Sequence, residues 1–429
     1  MVSKRLCFPS LVLFIFFYTG CVFANEALKF SEIEIVGNER TSTDVLLKEL
    51  GFTTNQLVSN EQLEQGVQHI RRTQLFSVVS FQLLEKLDDI ELVITVVEKW
   101  TTIPIVKLSS GGGVNQLALG VYDPNLFGNY VEAGFQYERL GDTNSGVAWF
   151  KDPSLFNSRD GLSIQLWKTA RLRTKFKQNH DTPIEKIGFL HSRDKLFLGY
   201  SHEFLNGFNT EFHYEYNDDS FSDELVSDKI KALVAVNGLP IDTTVHFLGS
   251  QISLGQIATG NQTKEGSKID LSYRYGFTST KGVNDFWELN LDVQTFIAPT
   301  PAENWAHRFM AGYTGTSILQ YWHYLGGLDR IRGFANDRFA GRYYWLSNLE
   351  YRRILVERDS YVVQGVGFLD AATTAETFNA LDRVVGASVG FGARLILPKI
   401  YRFVIRLDVA APIKKEDDHY ISFGLQQFF

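Results

Sequence analysis

The chain has 429 residues, of which 44% are hydrophobic, and its formal net charge is −7. This length has room for more than one domain, and nothing in the acidic balance suggests a nucleic-acid partner, which would require a basic surface. The 34 phenylalanines, 18 tyrosines and 35 glycines favour strands joined by tight turns.

The first residues form a targeting segment. Lys4 and Arg5 precede an apolar run from Leu11 to Tyr18, which is too short to cross a bilayer. Val22-Phe23-Ala24 then provides small residues at the two positions that a signal peptidase recognises. We therefore expect a signal peptide over residues 1–24.

Cysteine usage limits the chemistry of the mature chain. Cys7 and Cys21 are the two cysteines, and both precede the expected cleavage point. Neither a disulfide nor a thiolate metal site would then remain. The alternative is lipidation at Cys21. After residue 24 no run reaches the ~18 apolar residues of a transmembrane helix, which suits both a soluble secreted protein and a β-barrel.

The next segment, residues 27–100, has the pattern of a small α+β domain. Ile33 to Val36 alternates as a strand does, and Gly37-Asn38 marks a turn. Ser42 or Thr43 is placed to cap a helix that ends at Leu50, before Gly51.

A second helix and two strands complete this domain. Ser59 to Gln62 matches a capping box, and apolar residues follow at helical spacing. Val78 to Leu84 and Ile90 to Val97 are predicted strands. The predicted order is therefore strand, helix, helix, strand, strand.

The same segment resembles a POTRA domain, the periplasmic module of outer-membrane assembly and secretion proteins. The matching pieces are Val36-Gly37-Asn38, Leu75-Phe76-Ser77-Val78 and Val96-Val97-Glu98. The sequence contains one such copy, whereas most assembly proteins of this kind carry several. The alternative is a generic α+β domain.

From residue 101 to 429 the sequence changes to strands of alternating character. Trp287, Leu289, Leu291 and Val293 alternate with charged or polar residues, which gives one apolar and one polar face. Similar strands begin near residues 131, 208 and 401.

Three observations favour a membrane barrel over a soluble sheet. The segments have the ~9–11 residues that a tilted strand needs to cross hydrocarbon. They recur without predicted helices, and their polar faces carry full charges, as a lumen allows. We predict a POTRA domain followed by a transmembrane antiparallel β-barrel of about 16 strands, because only a closed ring leaves no unpaired backbone in lipid. The region 218–242 is the hardest to assign.

The last predicted strand, Tyr420 to Phe429, ends the sequence given. Ile421, Phe423, Leu425 and Phe429 are predicted to share one face. This aromatic strand resembles the C-terminal signal by which outer-membrane barrels are recognised for insertion, with Gly424 and Phe429 at the matching positions. Gln427 stands where an apolar or aromatic residue is more usual.

The most informative stretch runs from Gly326 to Phe334. Together with Asn348 to Arg352 and Gly365 to Asp370, it is similar to the signature of the BamA/TamA-like superfamily (the bacterial surface antigen family), which includes two-partner secretion transporters. The early turn Asp123 to Gly128 also resembles such barrels.

This resemblance implies a site inside the barrel. Family members fold the long sixth extracellular loop into the lumen and dock its tip on the next two strands. The tip would be Arg332, Gly333 and Phe334, and its partners would be Glu350, Phe368 and Asp370.

The residue types agree with such a site. Alternation places Asn348 and Glu350 on one face of their strand, and Phe368 and Asp370 on one face of the next. An arginine buried in a lumen needs carboxylate partners, which its planar fork can bind through two hydrogen bonds. Otherwise Arg332 would be an ordinary solvated loop residue.

Enzymatic interpretations find little support. Gly386 to Gly390 matches G-x-S-x-G around Ser388, but that motif needs a turn into a helix, and Val385 to Leu397 is predicted to be one strand. No histidine or acidic cluster has the spacing of metal ligands. We expect no catalytic residues, no metal and no cofactor.

We therefore expect a protein that assists assembly, insertion or translocation of polypeptide, or of lipid, at the outer membrane of a Gram-negative-type cell. Its POTRA domain would lie in the periplasm. The expected partners are outer-membrane lipid, unfolded outer-membrane or secreted polypeptides, and periplasmic or lipoprotein subunits bound by the POTRA domain. The alternative is a passive pore or structural barrel.

Overall fold

The structure is a computed structural model. It describes residues 27–429, apart from residues 87–88, 112–113, 141–142, 157–158, 180–181, 224–238, 260–261, 328–329, 335–336, 414–419 and 426–428. The expected signal peptide and both cysteines lie outside the described residues.

The N-terminal domain is a four-stranded sheet with two helices. Its elements are β1 (Leu28–Val36), α1 (Thr43–Leu50), β2 (Leu57–Val58), α2 (Asn60–Arg72), β3 (Phe76–Lys86) and β4 (Asp89–Glu98). The strand order is β2-β1-β4-β3. The β1–β4 pair is parallel, and the other two pairs are antiparallel.

Both helices begin, and α1 ends, where their capping residues predict. The Ser42 side chain accepts a hydrogen bond from the Asp44 amide, and Gly51 ends α1 in the left-handed conformation with φ 80°. The predicted capping box between Ser59 and Gln62 is present at the start of α2.

The core of this domain extends into the barrel. Leu46, Leu63, Val67 and Ile94 are almost fully buried between the helices and the sheet. The same cluster of packed side chains includes Ile103 and Tyr401, together with Tyr130 and Ile400 at its margin. The N-terminal domain is therefore in apolar contact with the strands and turns that follow it.

The remaining chain forms one large antiparallel sheet and a separate strand pair. The 16-stranded sheet has the order β22-β21-β20-β19-β18-β15-β14-β13-β12-β11-β10-β9-β8-β7-β6-β5, and β16 pairs with β17. The strands are β5 (Ile103–Gly111), β6 (Val114–Asp123), β7 (Glu132–Leu140), β8 (Thr143–Asp152), β9 (Asp160–Asn179), β10 (Thr182–Leu205), β11 (Phe208–Ser222), β12 (Thr243–Thr259), β13 (Lys264–Thr278), β14 (Phe286–Thr300), β15 (Glu303–Thr314), β16 (His323–Leu325), β17 (Phe339–Gly341), β18 (Tyr343–Glu357), β19 (Val362–Ala375), β20 (Gly386–Ile396), β21 (Val404–Pro412) and β22 (Tyr420–Leu425).

The two faces of the sheet differ as the alternation predicts. On β14, Trp287 and Leu289 are 40% and 38% exposed, whereas Glu288 between them is 3% exposed. The exposed apolar side chains face outward, as lipid requires, and the buried charged ones face the lumen. Neither helix among the described residues has the length and apolar character needed to cross a bilayer.

The sheet curls so that its two ends approach each other next to the N-terminal domain. Trp100, three residues before β5, forms a bridge with Ile400 in the turn between β20 and β21. The Trp100 amide donates to Lys399 O at 2.8 Å, and the Tyr401 amide donates to Trp100 O at 2.9 Å. The predicted barrel is confirmed as an antiparallel 16-stranded fold.

Turns on the side of the N-terminal domain hold that domain in place. Asn125, in the turn after β6, donates to Thr41 Oγ1 at 2.9 Å. Arg72, the last residue of α2, donates to Asn206 Oδ1 at 2.9 Å and also to Gln256 Oε1. The domain therefore lies against several turns at this end of the barrel.

The long loop, residues 315–342, connects β15 to β18 at the opposite end. It contains the β16–β17 pair and a 3-10 helix over Leu319–Tyr321. Five strands follow it, β18 to β22. Leu325, Ile331 and Phe339 of the loop are at most 5% exposed and pack with Leu346 of β18. The loop thus fills part of the barrel interior.

Candidate functional site: a loop bound in the barrel lumen

Two neighbouring strands present a polar inner wall beneath the long loop. Asn348 and Glu350 of β18 lie opposite Asp370 and Phe368 of β19, respectively. All four are at most 5% exposed. Glu350 and Asp370 are therefore diagonal neighbours on one face, close enough for one side chain to reach both.

Arg332 is that side chain. Its Nε donates to Asp370 Oδ2 at 2.8 Å and its Nη2 donates to Asp370 Oδ1 at 2.9 Å, while Nη1 donates to Glu350 Oε1. Its backbone amide also donates to Asp370 Oδ2, at 3.1 Å. All three side chains are 0% exposed. The forked bond to Asp370 supplies the geometry that a lysine could not.

Phe368 provides the surface on which the guanidinium rests. The Arg332 Cζ atom lies 3.5 Å from the centre of the Phe368 ring. A cation over an aromatic face is attracted to it, more strongly when both are shielded from water. Phe368 is thus a third partner of Arg332, beside Glu350 and Asp370.

Three further ion-pairing residues extend the cluster, and none of them was predicted as part of the site. Arg394 of β20 donates to Asp408 Oδ1 of β21 at 2.6 Å and lies 3.6 Å from Glu350. Arg352 Nε donates to Glu350 Oε2 at 2.7 Å. Three arginines and three carboxylates therefore alternate in this buried cluster, which offsets the cost of burying each charge.

A pattern in the sequence could have drawn attention to Asp408. Arg406 and Asp408 alternate with apolar residues in the predicted strand near 401, and charges on the inner face of a barrel strand need partners.

Gly333 and Phe334 occupy different surroundings beside Arg332. Gly333 has φ 83°, and a Cβ there would lie 3.2 Å from Ser388 Cβ and 3.3 Å from Ala410 Cβ. Phe334 is 8% exposed, and its ring centre lies 5.1 Å from that of Phe339. The tip therefore combines a charged contact, a close backbone approach and an apolar contact.

The residues of the predicted C-terminal signal lie near the same lumen. A Cβ on Gly424 would lie 2.7 Å from Arg406 Nε. Strand β22 ends at Leu425. Phe429 O accepts a hydrogen bond from Arg352 Nη2 at 3.1 Å, and its ring lies 6.1 Å from the buried Phe296. Phe429 therefore contacts residues that face the lumen.

The remaining motif, around Ser388, has no catalytic geometry. Ser388 lies inside β20 and is 0% exposed, opposite Asp370 and Pro412 on the flanking strands. Among the described residues, no group of three or more histidine, cysteine or acidic side chains is arranged to hold a metal ion.

The N-terminal domain has one buried acid at its contact with the barrel. Glu49 of α1 is 9% exposed. Burial raises the pKa of the Glu49 carboxyl to about 7; the charge of Lys48 opposes this, and the charge of Glu203 in β10 adds to it.

Together these features define a class: a 16-stranded β-barrel that follows one small α+β domain and holds a long loop inside its lumen. Residues 125–429 match the Omp85 superfamily domain, and residues 28–99 match the POTRA family described as surface antigen variable number repeat. The chain belongs to the Omp85 superfamily and carries one POTRA domain.

Solved structures show the same fold. The chain is similar to BamA from Haemophilus ducreyi lacking POTRA domains 1–3, with 14% identity, a TM-score of 0.53 and coverage of 92% of this chain and 83% of that one. It is also similar to CdiB from Escherichia coli, with 14% identity, a TM-score of 0.65 and coverage of 93% of this chain and 76% of that one. For CdiB from Acinetobacter baumannii the identity is 12%, the TM-score is 0.61, and the coverage is 93% of this chain and 74% of that one. No curated protein was found to match the sequence.

Proposed function

We propose that this protein assists the assembly, insertion or translocation of polypeptide at the outer membrane, with its POTRA domain in the periplasm. The observation that carries the proposal is the loop held inside the lumen by Arg332, Glu350 and Asp370. This buried, charge-balanced attachment holds the loop inside the barrel, whereas a steady, unplugged pore would leave its lumen free. The attachment suits a barrel whose lumen or wall must open on demand.

The tip residues Arg332, Gly333 and Phe334 are the proposed docking motif, and Glu350, Phe368 and Asp370 are its proposed receptor. We also propose that residues 1–24 are removed as a signal peptide and that Gly424 and Phe429 belong to the signal for barrel insertion. The proposed domains are residues 27–100 and 101–429. No residue is assigned a catalytic role.

The POTRA sheet supplies a place for an extended client. β3 is 11 residues long and stands at the edge of its sheet, next to β4 alone. An extended segment can add to such an edge through main-chain hydrogen bonds, which tolerate many sequences. Part of the edge is already used, because Arg71 Nη2 donates to Val79 O at 3.0 Å.

Photo-crosslinking in the full-length protein tests the client. A photoreactive residue replaces Leu84, which is 43% exposed on β3. The matched control replaces Glu64, which is exposed on α2. Crosslinks to unfolded polypeptides from position 84 and not from position 64 would support the proposal. Crosslinks to lipid alone would replace polypeptide with lipid as the client.

Channel recording distinguishes the proposed function from the alternative, a passive pore. A passive pore would give a large, steady current across a planar bilayer, together with no crosslinked client. The proposed protein should instead conduct rarely, because the long loop occupies its lumen.

A further inference from the structure

The long loop has a second buried attachment, on the wall formed by β10, β11 and β12. Tyr321 ends the loop's 3-10 helix and is 4% exposed. Its hydroxyl donates to Asp219 Oδ2 of β11 at 2.8 Å. Next to it, Gln320 Nε2 donates to Thr243 Oγ1 of β12 at 2.8 Å. Two consecutive loop residues are therefore bonded to wall residues.

Asp219 is held as firmly as Asp370 is at the first attachment. Arg193 Nε donates to Asp219 Oδ1 at 2.6 Å and its Nη2 donates to Oδ2 at 3.0 Å. His191 Nε2 lies 2.7 Å from Asp219 Oδ1. The Asp219 side chain is 0% exposed, and these hydrogen bonds orient it toward Tyr321.

The Tyr321 ring packs against two aromatic side chains of the wall. Its centre lies 5.6 Å from the ring of Phe247 and 5.0 Å from the ring of Phe286. The Arg193 guanidinium lies 4.9 Å from the Tyr321 ring on another side. Buried aromatic contacts of this kind stabilise beyond the area they bury. A loop side chain that merely rested in water would not find such surroundings.

The two attachments lie on well-separated parts of the wall. In the strand order, β11 is five places from β18, which carries Glu350, and six places from β19, which carries Asp370. The loop is therefore attached to two different stretches of the wall, one through Tyr321 and one through Arg332.

We propose that Tyr321 and Asp219 form a second docking site for the long loop, so that the lumen opens only when both attachments release. This inference rests on the proposed function in one respect, since it assumes that the loop moves during transport. Tyr321 acts as a positioning residue: it fixes the loop and does not itself contact a client.

Disulfide trapping tests whether the loop occupies this site. In the full-length protein in its membrane, Gln320→Cys is combined with Thr243→Cys, because these two side chains touch. The control combines Gln320→Cys with Thr244→Cys, whose residue bonds to Asp218 rather than to the loop. A crosslink in the first pair alone is expected. No crosslink in the first pair would overturn the proposal.

Channel recording then tests the energetic role. Tyr321→Phe keeps the ring and removes the hydroxyl, so openings should become about ten-fold more frequent, the factor expected for a lost hydrogen bond to a charged group. Tyr351→Phe is the control, because Tyr351 donates to Glu303 at 2.7 Å on the outer face. Combining Tyr321→Phe with Arg332→Lys should multiply the two single effects.

The outcomes separate this inference from the proposed function. Suppose that Arg332→Lys opens more often than the Tyr351→Phe control but Tyr321→Phe does not. The second site then does not help to keep the lumen closed, and the inference fails. The crosslinking result at position 84 is independent of that outcome. Absence of any client there would instead defeat the proposed function and leave the second attachment intact.

Discussion

The Arg332 guanidinium is held between the Phe368 ring, 3.5 Å below its Cζ atom, and two carboxylates at its edge. Each of the three guanidinium nitrogens donates to one of these carboxylates. This arrangement explains why an arginine, and no other cation, suits the loop tip.

Replacing Arg332 should therefore be costly. Arg332→Ala leaves Glu350 and Asp370 buried beside a vacant position, and breaking such a pair costs roughly 3–5 kcal/mol, less if water enters. Urea unfolding of the barrel in detergent, followed by its shift on electrophoresis, would measure the loss. The stability of Arg332→Lys should lie between that of the wild type and that of Arg332→Ala, because lysine keeps the charge but cannot form the forked hydrogen bonds.

A control in the same loop sharpens this comparison. Arg330 is half-buried and contacts the Met310 sulfur rather than a carboxylate. Arg330→Ala should lower stability much less than Arg332→Ala. Equal losses for the two variants would contradict the docking of Arg332.

Gly333→Ala should weaken the same site through the backbone. A non-glycine residue at φ 83° is strained, and the new methyl group would press on Ser388 and Ala410. We expect a loss of about 1–3 kcal/mol, measured by the same urea titration. Gly282→Ala is a suitable comparison, because its φ is 84° but no atom lies within 4 Å of the added Cβ. A similar loss at both positions would mean that strain alone, without the close packing, explains the effect.

Ser59→Ala tests the capping box at the start of α2. The Ser59 hydroxyl accepts from the Gln62 amide at 3.1 Å, and Gln62 Oε1 accepts from the Ser59 amide at 2.9 Å. Losing the cap should cost about 1 kcal/mol. Both α-helices of the described residues lie in the POTRA domain, so the circular dichroism of the full-length protein at the helical wavelength reports its melting. Ser31→Ala, whose hydroxyl bonds a carbonyl in the sheet, should change that melting less.

Glu49 should make the POTRA domain less stable as pH rises. Its folded pKa of about 7 exceeds the usual 4.5, so the folded state binds more protons than the unfolded state between these values. Stability is then greatest near the lower value and falls as pH approaches 7. Glu49→Gln should flatten this dependence of the helical melting temperature. An unchanged slope in the variant would assign the dependence to other groups.

Local features of this fold could be predicted from the sequence. The helix between Ser42 and Gly51, the capping box and the strand alternation all depend on near neighbours in the chain, and the structure contains them. Strand β2 was missed, because two residues are too few to show alternation. β9 and β10 are longer than the predicted ten residues, since a strand can continue beyond the lipid without an apolar face.

Contacts between distant parts of the chain were harder to predict. Resemblance to a family indicated the partners of Arg332. Alternation placed Asp408 on a polar face, but nothing local indicated that it pairs with Arg394. Tyr321 and Asp219 are 102 residues apart, and no periodicity links a loop tyrosine to an acid on another strand. The contacts of Arg72 and Asn125 were missed for the same reason, because they depend on how the POTRA domain lies against the barrel.

The bridge between Trp100 and Ile400 has a mechanical consequence. It fastens the segment leading into β5 to the turn before β21, and so clasps the first and penultimate strands of the ring at one rim. β5 and β22 are the two end strands of the sheet. A gap between them would be held at this rim and would widen toward the opposite rim. A force applied to the POTRA domain would therefore be transmitted to the strands on both sides of the gap.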